Sequence, residues 1–183
     1  MNKLNTLKAA LLAGALLALP AAYAATLTKA DYTAGKARIS ADYKSDKAAC
    51  ASFAANAKDI CMQEAKAKER VALAELEYGY TGKAADGNKV LVAKAESSYA
   101  VAKEKCDDKA SNAKDVCVTQ AKAVETKALA DAKLGKEIGE AKKDAAADKL
   151  DADYKVAIEK CDAMAGDAKA SCVAAAKANF GKT

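Results

Sequence analysis

Six cysteines divide this chain into three matched pairs, each enclosing ten residues: Cys50 and Cys61, Cys106 and Cys117, Cys161 and Cys172. The enclosed segments are near-copies: C-A-S-F-A-A-N-A-K-D-I-C, C-D-D-K-A-S-N-A-K-D-V-C and C-D-A-M-A-G-D-A-K-A-S-C. Asn56, Asn112 and Asp167 stand six places after the first cysteine, each followed by Ala-Lys. Tyr43, Tyr99 and Tyr154 precede the first cysteine by seven places, and Ala-Lys-Ala begins four places after the second. Gly79 and Gly135 lie eighteen places beyond the second cysteine of the first two copies. The period is 56 and then 55 residues, which identifies a unit repeated in tandem.

The spacing constrains the unit. An unbroken helix separates residues eleven apart by about 16 Å, whereas a disulfide needs Cα atoms within about 7 Å. A bond inside each copy therefore requires the chain to reverse. Asn56, Asn112 and Asp167 suit that reversal as N-caps of a second helix, and Gly166 suits the end of a preceding one. The predicted unit is an αα-hairpin clasped by Cys50–Cys61, Cys106–Cys117 or Cys161–Cys172. The competing reading is one uninterrupted helix whose cysteines share a face and bond a second chain. Tyr32 and Tyr43, each in an Ala-Asp-Tyr triplet eleven apart, fit that alternative.

Residues 1–24 read as a secretory signal peptide. Lys3 and Lys8 open it, Ala9 to Leu19 form a short apolar run, and Ala22-Tyr23-Ala24 is an A-x-A cleavage site. Cleavage after Ala24 predicts a periplasmic or secreted protein without a transmembrane segment. In such oxidising compartments an even cysteine count reads as disulfides. Export also weighs against the other use of the cysteines, thiolates gathered on zinc or copper.

Composition specifies helix. Alanine, lysine, glutamate and aspartate dominate, and the one proline, Pro20, lies in the signal segment. The fold class expected is all-α, a tandem array of three disulfide-clasped αα-hairpins. Thr28-x-x-Asp31 resembles a capping box opening the first. Apolar stripes run through Leu91, Ala95, Tyr99, Ala102 and Cys106, and through Leu150, Tyr154, Ala157 and Cys161, placing each cysteine on a helix's apolar face. Tyr43, Tyr99 and Tyr154 are expected to pack beside the disulfides. The stripes are mostly alanine, so each buries little. The disulfides are expected to substitute for a weak core, each adding on the order of 3 kcal/mol.

Boundaries follow from glycine. Hairpins are expected over residues 25–79, 89–135 and 136–183, with a linker at 80–88 that carries Gly82, Gly87 and two capping candidates, Asp86 and Asn88. Gly135 and Gly139 make a softer second boundary that a bent helix could cross.

Several chemistries are missing. The chain has no histidine and no tryptophan, so it cannot build a histidine-activated nucleophile or a histidine-ligated metal site. It has no C-x-x-C motif and no glycine-rich phosphate loop. Without residues 1–24 there are 28 basic and 25 acidic side chains, a net of +3, with both signs interspersed. This is not the basic tract of a nucleic-acid binder. The clasped hairpin is similar in outline to the twin-cysteine hairpins of mitochondrial intermembrane-space proteins, which carry two cysteines per helix where this chain has one. The expectation is a non-enzymatic exported structural or protein-interaction protein, without cofactor or metal, that meets an unknown protein or envelope component. The alternative is an envelope-stress chaperone, or a helical protein that binds anionic lipid or lipopolysaccharide.

Overall fold

A computed structural model describes residues 27–182. The expected signal peptide and its cleavage site lie outside the described residues. Within them the chain forms α1 (Lys29–Ala49), a 3-10 turn (Cys50–Ser52), α2 (Ala55–Thr81), α3 (Ala84–Cys106), α4 (Ser111–Asp162) and α5 (Gly166–Asn179), with no strand. Each helix packs on its neighbours in the chain and on nothing else, so the molecule is a single layer of helices.

All three hairpins are present. Cys50–Cys61, Cys106–Cys117 and Cys161–Cys172 are closed, each with Cα atoms 5.6 Å apart, and no cysteine is free. The uninterrupted-helix reading is thereby overturned. Cys50, Cys106 and Cys161 are the largest fully buried side chains, at 0–1% exposure. The rest of the core is nearly all alanine: Ala65, Ala93, Ala95, Ala132 and Ala176, with Val90. Each clasp closes its hairpin beside the reversal, joining the end of one helix to the first turns of the next.

The reversals share one conformation. Ala54, Ala110 and Ala165 are extended, and the next residues, Ala55, Ser111 and Gly166, have φ of 47°, 48° and 58°. That left-handed geometry suits glycine and costs other residues roughly 1–2 kcal/mol. It also corrects the capping assignment. Asn56, Asn112 and Asp167 are not N-caps. The helices begin two residues earlier than such caps require, the cap positions are Ala54, Ala110 and Ala165, and no side chain caps them. The early left-handed residue moves Asn or Asp into the first turn. By contrast Thr28 caps α1, accepting a hydrogen bond from the Asp31 amide and donating one to its carboxylate.

The two inter-hairpin boundaries differ. α2 continues to Thr81 and ends on Gly82, whose φ is 62° and whose amide donates to the Tyr78 carbonyl. Only Gly82 and Lys83 separate α2 from α3, a far shorter link than 80–88. Asp86 and Asn88 fall inside α3. At the second boundary the helix does not break. α4 runs for 52 residues through Gly135 and Gly139, about 78 Å at 1.5 Å per residue. The residue equivalent to Gly82 is Ile138, twenty-one places after the second cysteine in both copies. No glycine stands where the reversal needs one.

Candidate interaction surface

α3 carries two inward-facing stripes. One runs through Ala95, Tyr99, Ala102 and Cys106 and faces α4, as the disulfide requires. The other, Val90, Ala93 and Ser97, is also buried. α3 packs only on α2 and α4, so this second stripe faces α2. It brings two hairpins together, and the sequence reading missed it because Asp86 and Ser97 interrupt the apolar pattern.

Polar anchors reinforce the joint. Asp86 is buried and accepts hydrogen bonds from Thr81 Oγ1 at 2.6 Å and Lys89 Nζ at 2.8 Å. The Lys89 ammonium, then the Thr81 hydroxyl, hold its carboxyl below the usual carboxylate range. Asn56 Nδ2 donates to the Glu104 carbonyl at 3.1 Å and to Asp108 Oδ1 at 2.7 Å, tying the first reversal to the second. At the start of the layer Tyr32 stacks on Tyr80 with ring centroids 4.5 Å apart, and its hydroxyl donates to Glu77. That hydrogen bond raises the Tyr32 pKa.

One face of the layer is open. A groove of about 620 Å³ lies between α2 and α3, floored by Ala67, Val71, Ala72, Ser98 and Val101. A second, of about 550 Å³, lies between α3 and α4, floored by Leu91, Ala95, Ala121, Val124 and Ala128. They share Lys94, Ser98 and Ala102 of α3, so both open on the same side, one on each flank of α3, and together make up the trough. Leu91 is 52% exposed and Val124 65%. Ser97 Oγ, buried at the edge of the first groove, has no hydrogen-bond partner. Ion pairs bridge the α2–α3 part: Glu64–Lys105 and Glu75–Lys94, both at 2.7 Å. On α4 the buried Glu125 pairs with Lys122 at 2.6 Å, and this bond raises the Lys122 pKa.

The three repeat tyrosines are not brought together. Tyr43 on α1 lines a small cleft with Lys68, Glu69 and Ala72 of α2. Tyr99 on α3 lies under the Lys122 ammonium of α4, 4.8 Å from the ring centroid. Tyr154 on α4 tilts against Phe180, just beyond α5, at 5.8 Å. Each sits half-buried in its own hairpin.

No helix among the described residues is long and apolar enough to cross a membrane. No protein-family model, curated protein or solved structure matches the chain.

Proposed function

We propose that this protein is a non-enzymatic, exported interaction protein whose clasped hairpins hold the α2–α3–α4 trough open for a protein partner. The observation that carries this reading is the trough itself: apolar, open along three helices, and floored by small side chains that let another chain approach closely. Three closed disulfides fit the oxidising compartment that the N-terminal residues 1–24 suggest. The rim lysines Lys94 and Lys105 are each paired with a glutamate, which weakens the case for an anionic lipid or lipopolysaccharide and favours a protein with an apolar surface.

The test uses exposed positions on the trough floor. Oxidised protein is immobilised against envelope extract in parallel with Ser98→Glu and Val124→Glu, substitutions that add charge without touching the buried stripes. A bound protein retained by the wild type and lost from both variants supports the reading. An identical bound set for all three rejects it. Salt-sensitive retention of anionic vesicles, indifferent to both substitutions, supports the lipid alternative.

A further inference from the structure

The outer face of α4 carries both halves of an interface that is closed elsewhere in the molecule. On α2, Ile60, Ala67, Val71 and Ala74 share the helix face of Tyr78, whose ring lies beside Gly87 of α3. One repeat later the same positions on α4 are Val116, Ala123, Lys127, Ala130 and Leu134, all exposed. On α3 the matching half is Val90, Ala93 and Ser97. One repeat later it is Ala145, Asp148 and Ala152, again exposed. At about 100° per residue these two sets lie on one continuous side of α4, opposite Glu125 and Ala132, which are buried against α3. In the first two hairpins Gly82 folds one half onto the other. In α4 the halves lie end to end in one unbroken helix, and neither is covered.

We propose that two copies of this chain pair antiparallel along the outer face of α4, with a two-fold axis near Ile138. The first half on one copy then meets the second half on the other, as α2 meets α3 within the chain. Two charged residues interrupt these faces between Ala123 and Ala152, and they are complementary. Lys127 lies eleven residues before Ile138 and Asp148 ten residues after it. A two-fold there sets Lys127 of each copy beside Asp148 of the other. The edge charges agree: Glu75 and Lys94, paired across α2 and α3, become Asp131 and Lys149 with their signs kept. Leu134 and Ile138, about half-exposed in the single chain, lie near the centre of the joint. The pairing repeats between two chains the contact that α2 and α3 make within one.

Light scattering on the oxidised full chain over about 1–100 µM tests this, a range that reads dissociation constants of about that size. The expected mass is that of a dimer at the upper end. Lys127→Glu places like charges together twice per dimer and is expected to weaken association at least about tenfold. The exchange Lys127→Glu with Asp148→Lys is expected to restore it. Helicity and melting are followed in parallel, with Lys127→Gln as a milder variant should Lys127→Glu melt early. A monomer at every concentration overturns the proposal. So does a dimer indifferent to Lys127→Glu, or an exchange that fails to restore association while the hairpins stay folded.

Discussion

Hairpins one and two lie side by side, while hairpin three stands off on a bare helix. From Lys133 to Asp153 every residue of α4 is exposed, a stretch of about 32 Å. The three clasps and their reversals are the same, so the difference cannot come from the hairpin. It comes from three positions between hairpins. Gly82 becomes Ile138, which removes the left-handed helix end. Val71 becomes Lys127 and Ala93 becomes Asp148, so a pair of opposite charges stands where the first two hairpins have apolar contact. Closure of a unit is written in its cysteines, and stacking is written separately, in one turn residue and a second stripe.

Giving the second hairpin a residue from the third should break the comparison. Ala93 is 6% exposed against α2, and Ala93→Asp buries an unpaired carboxylate there. The expected loss is about 3 kcal/mol, with the two hairpins parting while both remain helical. Small-angle scattering should show a longer particle, with helicity by circular dichroism nearly unchanged.

Acid should loosen both regions together. Asp86 anchors the stacked hairpins, and Asp151 accepts from Lys182 in the third. The Lys89 bond in one case and the Lys182 bond in the other hold these carboxyls below their ordinary range. A depressed carboxyl adds stability above its unfolded pKa, near 4, and loses it as pH falls through the folded value. Lys68 and Lys122 are raised, by hydrogen bonds to Asp46 and Glu125. Their contribution holds below about pH 10 and is lost above it. With no histidine in the chain, the melting temperature should be flat between about pH 5 and 9 and fall below about 4.

A smaller effect separates the reversals. The third uses Gly166 at the left-handed position, where the first two use Ala55 and Ser111. Ala55→Gly and Ser111→Gly should each raise stability by about 0.5–1 kcal/mol, as relief of strain outweighs the added freedom of the unfolded chain. Gly166→Ala should lower it by a similar amount. Urea unfolding of the oxidised protein resolves differences of this size.

Helix, hairpin and disulfide pairing were legible because a fixed cysteine spacing fails to close in any straight helix. The stripe from Leu91 to Cys106 was legible because its period is unbroken. The stripe from Val90 to Ser97 was not, since a buried serine and a buried aspartate look like surface. The left-handed residues escaped because alanine and serine carry no turn signal, and Gly166 alone marked the place. Gly135 and Gly139 suggested a boundary, but neither occupies the position of Gly82, and the residues around them favour helix. The trough was invisible for a related reason: it is assembled from alanines, valines, a leucine and a serine on three helices, and no local pattern distinguishes a covered residue of this kind from an open one.

The central claim is that sulfur clasps replace a core too thin to close each hairpin alone. Hydrogen exchange across the full chain, oxidised and reduced, tests it residue by residue. α5, a 14-residue helix packed only on α4, is too short to persist unsupported, and its amides should lose protection first on reduction. α3, held from both sides, should keep part of its protection. A reduced protein in which α5 stays as protected as in the oxidised state, with an unchanged melting temperature, would contradict the account.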